Sequence, residues 1–372
     1  MTTQTLTHQR IANAARAAGR RSIKVLGRLR ARLILATIVA VAALGVGTGL
    51  AFARSSPSAI GTGVVVIDTK LGYQGGAAAG TGIVLTSSGE VLTNNHVIEG
   101  ATSVEIVVPG STHHYSAKVV GYDKSADVAL LQLNGASNLR TASLGDSSKV
   151  TTGQAVEALG NAGGTGTLTS ASGTVTGLVK SITVSDDQGG SERLAGLIET
   201  NAPLQPGDSG GPLLNTKGQV IGMDTAASTG FTFQAAHASD SYAIPIDTAL
   251  TLAKQIESGK ASTAVHIGPT PFLGVEIAGT VGNGGFGDGG YGGATPAGGL
   301  IAGTVAGGPA ASAGLTAGDV ITAINGRTVS SPSAITSLIL TKKPGAKLRV
   351  TYTDHSGTSH VTTVTLGSGP PQ

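Results

Sequence analysis

Between residues 61 and about 248, apolar and polar positions alternate in short runs: "GIVLTSSGEVLTNNHVI", "SVEIVVPG", "AKVVGYD", "VALLQL" and "QVIGMDT". The runs are broken by Gly, Asn, Asp or Ser at close, regular spacing. That pattern predicts the many short strands of an all-β barrel or sandwich. "SSGE" at 87–90 predicts a hairpin turn between two of them. The period changes over 246–258, "IDTALTLAKQIES", where apolar residues recur at helical spacing behind an aspartate able to cap the first turn, with Gly259 as a stop. A linker, "GKASTAVHIGPTP", follows, and strands resume from about 271 with "PFLGVEI", "GLIAGTV", "DVITAING", "KLRVTYT" and "VTTVTL". With helices expected around 309–314 and 332–341, this second region reads as a small α+β module. The Gly-rich run 279–299 and the tail "GSGPPQ" lack the apolar content to pack and are expected to be a mobile loop and a disordered end.

The amino-terminal pattern differs from all of this. Residues 1–32 hold eight basic side chains and no acid, and Leu33–Ala53 follows without a charge. A helix of that length spans about 30 Å, the apolar thickness of a bilayer, and its basic flank stays on the cytoplasmic side. Two readings fit. The segment is a retained transmembrane anchor, or it is a signal removed at the Ala51-Phe52-Ala53 cleavage pattern, leaving the protein secreted. Either way the bulk beyond the polar linker 54–60 lies outside the cytoplasm.

The basic arm also explains the overall charge of +3. Taking its eight residues from 24 leaves 16 basic against 21 acidic side chains in the rest, which is therefore mildly acidic. With aromatic content at 3% and no Trp, nucleic acid is not an expected partner. The absence of cysteine excludes disulfides and thiolate chemistry.

The chemistry centres on "PGDSGGPL", residues 206–213. A serine hydroxyl is a weak nucleophile until a base takes its proton and a carboxylate fixes that base. Ser209 is the candidate, between glycines that let the backbone N–H groups of Gly207 and Ser209 converge on an oxyanion. His96, at the end of "LTNNHVI", is the candidate base. Asp127, opening the apolar run "DVALLQL", is the candidate orienting acid, because a charge there needs a partner. Asp123 reads as a turn residue, and His113 and His114 as a solvated loop without the further ligands of a metal site.

"TGIVLTSSGEVLTNNHVIEGA", "GYDKSADVALLQL" and "QPGDSGGPLLNTKGQVIGMDTA" together resemble the HtrA/Deg serine proteases, most closely their actinobacterial membrane-anchored members. The resemblance implies an all-β chymotrypsin-like double β-barrel over 61–258 and a PDZ domain over 271–366, preceded by one N-terminal transmembrane helix at 33–53. It implies a Ser209, His96, Asp127 triad in the cleft between the barrels, no cofactor, and homotrimers. The substrate pocket would have Pro203 at its floor and walls from Met223–Ala226 and Ser241–Ile244, with Thr225 and Ala243 among them. Such a pocket favours cleavage after small to medium aliphatic residues. In the PDZ domain, "PFLGV" would place Phe272, Leu273, Gly274 and Val275 at the loop that receives C-terminal peptides. The implied substrates are unfolded or misfolded proteins. A chaperone or PDZ adaptor with little proteolysis is the first alternative. A hydrolase of small esters is the second, and the lack of a G-x-S-x-G elbow speaks against it. One departure stands out: Asp208 precedes the serine where many HtrA proteins have Asn, and a buried Asp208 needs a partner the sequence does not name.

Overall fold

The computed structural model of the chain describes residues 61–73, 75–185, 191–225, 232–233, 241–278 and 298–372. The expected membrane segment 33–53 and nearly all of the insert 279–299 lie outside the described residues. No helix among the described residues is long and apolar enough to cross a membrane.

The alternating runs become two closed barrels. The first comprises β1 (Val64–Leu71), β2 (Gly76–Val84), β3 (Glu90–Thr93), β4 (Ser103–Val107), β5 (His114–Asp123) and β6 (Val128–Leu133). Pairing of β5 with β6 closes it. Every second residue of these strands faces inward, so Val65, Ile67, Val91, Ile106 and Leu131 fill its interior. The second comprises β7 (Ala155–Gly160), β8 (Thr169–Ser185), β9 (Ser191–Thr200), β10 (Pro212–Asn215), β11 (Val220–Thr225), β12 (Thr232–Phe233) and β13 (Ser241–Pro245). Here β8 returns to β9.

Short helix α1 (Asn95–Ile98) follows β3, and α2 (Ile246–Glu257) follows β13. Helix α2 buries Ile246, Ala249, Ala253 and Ile256, the stripe its sequence period predicts. They share one core with Leu92 and Leu130 of the first barrel and Met223 and Ile244 of the second, so the helix fixes one barrel against the other. Asp247 does not cap this helix. It lies inside the first turn and accepts hydrogen bonds from Ser147 N (2.9 Å) and Ser147 Oγ (2.7 Å).

Two segments depart from the sequence expectation. The one read as a linker contains β14 (Val265–Ile267), which pairs with β5 as an outer strand of the first barrel. The tail read as disordered also contains a strand. The second module holds β15 (Thr270–Phe272), β16 (Val275–Ile277), β17 (Gly299–Thr304), β18 (Val320–Ile324), β19 (Arg327–Thr328), β20 (Lys347–Thr353), β21 (Ser359–Thr365) and β22 (Gly367–Gly369), with helices α3 (Pro309–Ser312) and α4 (Pro332–Leu340). Its main sheet runs β16-β17-β18-β20-β21, leaving β16 on an edge. Strand β22 pairs with β15. A Cβ on Gly369 would meet the Phe272 side chain at 2.5 Å, so the bare backbone is what permits this pairing. Beyond it, Gly100 N donates to Pro371 O (2.9 Å), Gln372 N to Tyr122 Oη (3.2 Å) and Asn95 Nδ2 to Gln372 O (3.3 Å). Hydrogen bonds from its backbone, which composition does not register, hold the tail together with the burial of Pro370 and Pro371.

Candidate active site

The site assembles from three turns. In the first barrel, β3 ends at Thr93 and the chain makes the single turn α1, which buries Val97 and Ile98 and sets His96 at the cleft. In the second turn, Asp123 closes β5 and accepts from Ser125 Oγ (2.7 Å) and Ala126 N (3.1 Å), and Asp127 N donates to Lys124 O (3.0 Å). Asp123, read from the sequence as a turn residue, is instead the last residue of β5, and its buried carboxylate holds the turn that follows. Asp127 lies just before β6 with φ of 54°, a left-handed conformation that aspartate tolerates better than most residues. Asn94 Nδ2 holds its carbonyl at 2.9 Å.

His96 and Asp127 meet. His96 Nδ1 lies 3.0 Å from Asp127 Oδ1 and 2.9 Å from Oδ2, and His96 N donates to Oδ1 at 3.0 Å. A carboxylate only accepts, so Nδ1 carries the hydrogen and Nε2 is the basic nitrogen. Thr225 Oγ1 donates to Oδ2 at 3.0 Å. Burial draws the imidazole pKa down, but the charge and hydrogen bond of Asp127, with Glu99 behind it, outweigh that and leave it raised.

The third turn carries Ser209. Gly207 (φ 100°) and Gly210 (φ 83°) adopt conformations closed to most side chains. Thr81 N donates to Ser209 O (2.8 Å) and Thr81 Oγ1 to Gly207 O (2.7 Å), tying this second-barrel loop to the first barrel. A Cβ on Gly80 would meet Val97 Cγ1 at 2.6 Å and Ser209 O at 3.3 Å. One glycine's width therefore separates Ser209 from the residue after His96. Pro206 O accepts from Gly163 N at 2.7 Å. The peptide is planar and trans, so the Gly207 N–H points the opposite way.

Of the other predicted residues, Thr225 and Ala243 lie on the paired strands β11 and β13. Pro203 is exposed in the connection between β9 and β10. The hydroxyl of Thr225 is committed to Asp127, and Ala243 is buried in a core with Leu213 and Ile221. In the second module, Phe272 ends β15 and its ring stacks on Tyr73 at 5.1 Å, while Leu273 is core. Gly274 (φ 78°) turns the chain into Val275 on the edge strand. His113 and His114 are exposed, and His114 bonds Glu105. Among the described residues, no group of three or more His, Cys, Asp or Glu is arranged to hold a metal.

Sequence reasoning overlooks Thr81 and Asn94, whose roles depend on long-range contacts, and the acceptor that Thr225 serves. It also overlooks Asp224. An acid ending the apolar run "QVIGMDT" is the same signal that singled out Asp127. Among the described residues Asp208 has no cationic partner, and its Oδ2 accepts from Gln205 N at 2.8 Å.

The sequence matches the family description "Trypsin-like peptidase domain" over residues 80–223 and "PDZ domain" over 300–352. It is 34% identical over 321 residues to "Serine protease PepD" of Mycobacterium tuberculosis, covering 82% of this chain and 63% of that protein. To "Periplasmic pH-dependent serine endoprotease DegQ" of Escherichia coli it is 33% identical over 279 residues, 73% of this chain and 55% of the relative. The chain thus spans less than two thirds of the curated relatives' length. A solved structure, "HtrA-type protease AlgW with tripeptide", shares 27% identity with a TM-score of 0.46, over 85% of this chain and 96% of that one. The chain carries a trypsin-like peptidase domain and a PDZ domain, and its relatives are HtrA- and DegP-type serine proteases.

Proposed function

We propose, from this pairing of a trypsin-like peptidase domain with a PDZ domain, that the chain is an HtrA-type serine endopeptidase acting through an acyl-enzyme. The observation that carries the reading is His96, gripped at Nδ1 by both oxygens of Asp127 beside the loop of Ser209. Ser209 Oγ attacks the peptide carbonyl while His96 Nε2 takes its proton. The N–H groups of Gly207 and Ser209 receive the oxyanion, with Gly207 aimed by the Gly163 contact on the preceding carbonyl. Protonated His96 then gives its proton to the leaving amine, and water, deprotonated by His96, releases the acyl group.

The substrates in this reading are unfolded or exposed segments of other proteins, cut after small or aliphatic side chains in a pocket that includes Pro203, Thr225 and Ala243. A peptide adds to the edge strand β16, where Val275 begins, with its terminal carboxylate at Phe272, Leu273 and Gly274. The protease works outside the cytoplasm as a homotrimer, with residues 33–53 as its anchor. The test uses the segment from residue 55 onward beside its Ser209→Ala variant on casein. Cleavage by the parent alone is expected, and mapping its products reads the pocket preference. Cleavage by both variants overturns the nucleophile, and cleavage by neither favours a PDZ adaptor.

A further inference from the structure

Behind the nucleophile loop lies a second acid that the triad chemistry does not use. Asp224, in β11, is fully buried. Its backbone is stitched to the two glycines after Ser209: Gly210 N donates to Asp224 O (2.9 Å) and Asp224 N to Gly211 O (2.7 Å). Gly210 is closely enclosed, since a Cβ there would lie 2.2 Å from Thr81 O and from Thr93 Oγ1. Asp208 sits on the other side of Ser209, its Oδ1 packed against the bare backbone of Gly160, where a Cβ would stand 2.5 Å away. Among the described residues, neither oxygen of Asp224 nor Oδ1 of Asp208 has a hydrogen-bond partner, and neither residue has an ion-pair partner.

We propose that Asp224 is a positioning residue for the nucleophile loop: a buried neutral acid that keeps the loop seated only while it holds its proton. The inference rests on Ser209 being the nucleophile. Two carboxylates in a dry interior without a cation cannot both be charged at modest cost. Burial raises Asp224 well above the ordinary carboxylate range, and the charge of Asp208 raises it further. Burial also raises Asp208, but the Gln205 N–H pulls it back, so Asp208 ionises first and Asp224 keeps the proton.

Glu157 of β7 is part-buried opposite Leu214 of β10, and the nearer charged or titratable groups face other partners. Glu199 of β9 faces Thr176 and Lys180, and Asp127 faces His96 and Thr225. Tyr242 of β13 stands opposite Thr225, one position beyond the partner of Asp224 and so on the other face of the sheet, and Asp247 of α2 faces Ser147. Loss of the proton therefore places a second negative charge under Gly210 and Gly211. It repels Asp208 and opposes the oxyanion forming above Ser209.

The test compares the full chain with Asp224→Asn and Asp208→Asn, following peptide hydrolysis and inactivation by a serine-directed phosphonate between pH 6 and 10.5. The parent should lose kcat/KM toward alkaline pH by up to about tenfold per pH unit. The neutral isostere Asp224→Asn should keep the activity that the parent loses there, raising the ratio of rates at pH 10 and pH 7 by about tenfold or more. Asp208→Asn, which removes the neighbouring charge, should move the alkaline limb to lower pH.

Stability gives an independent readout. An acid raised on folding binds its proton more tightly in the folded state, so the parent loses stability as pH rises above the unfolded value of about 4. The Tm advantage of Asp224→Asn should grow with pH from there, then level off once Asp224 has ionised. Alkaline limbs that coincide in all three proteins, or a Tm difference flat with pH, overturn the proposal. Failure of the phosphonate to label Ser209 at pH 7 overturns the nucleophile instead, so the two are told apart. An Asp224→Asn chain that does not fold leaves the Asp208→Asn limb to decide.

Discussion

The two barrels each place a buried carboxyl group at the candidate active site, and they surround it in opposite ways. Asp127, at the rim of the first barrel, accepts from His96 Nδ1, His96 N and Thr225 Oγ1. Asp224, in the second, is as deeply placed and has no donor for either oxygen among the described residues. Donors allow a buried carboxylate to remain an anion, and their absence keeps a carboxyl neutral. One acid can then serve as a fixed charge that orients a base, and the other as an uncharged support. Sequence position does not separate them, since each adjoins an apolar strand. What separates them is the set of N–H and O–H groups that other parts of the chain bring within reach.

The largest effect that tests this contrast is Asp127→Asn. The amide cannot accept the Nδ1 hydrogen through both of its heavy atoms, so His96 loses its tautomer and the counter-charge for its imidazolium. A fall in kcat of about 10³- to 10⁴-fold is expected, the scale seen when other serine proteases lose this acid. Steady-state hydrolysis of a peptide substrate measures it. The same acid-to-amide change at Asp224 should leave the alkaline rate higher than the parent's. Equal losses at both positions would erase the distinction between charged and neutral acid.

Next in size is Thr225→Val, which keeps the shape and removes one donor from Asp127. A hydrogen bond to a charged group is worth about 1.5–3 kcal/mol, so kcat/KM should fall by roughly 10- to 100-fold. An unchanged rate would mean that the His96 contacts alone hold the carboxylate.

His96 supplies a third test. Its pKa is raised on folding, so activity, which needs the neutral imidazole, should climb with pH through a value above the ordinary imidazole value of about 6.5. The corresponding stability runs the other way: it is fully present below the unfolded value and is lost as pH rises through the folded one. A rate profile of Asp224→Asn should retain this acid limb while its alkaline limb is altered. A limb centred below the ordinary value would mean that burial, not Asp127, dominates His96.

Much of the fold and of the candidate site was legible because the signals are local. Alternation marks strands, and "DSGG" with "NNHV" and "SADVALL" marks three turns, each written in consecutive residues. The supporting residues were not legible for the converse reason. Thr81 and Gly207 are 126 positions apart, Thr225 and Asp127 are 98 apart, and no short window along the chain contains both partners. The tail failed differently. Composition gives "GSGPPQ" little apolar side chain, yet Pro370 and Pro371 are buried, and the segment is held by backbone pairing with β15 and contacts at Gly100, Asn95 and Tyr122.

That tail gives the smallest predicted effect and a control for the rest. Tyr122 Oη accepts from Gln372 N (3.2 Å) and lies 3.3 Å from Thr270 Oγ1, so it joins β5 to the start of β15 and to the residues just beyond β22. Tyr122→Phe removes these contacts and leaves the ring packed near His266. Neutral hydrogen bonds contribute about 0.5–1.5 kcal/mol each, so Tm should drop by about 1–4 °C. Asn95, which also holds the tail, is adjacent to His96 in the chain, but neither acid site touches the phenol. Both limbs of the pH–rate profile should therefore stay where they are in Tyr122→Phe. A shifted limb would mean that the tail acts on α1 and hence on His96, and that the contrast between the two acids is not confined to their own donors.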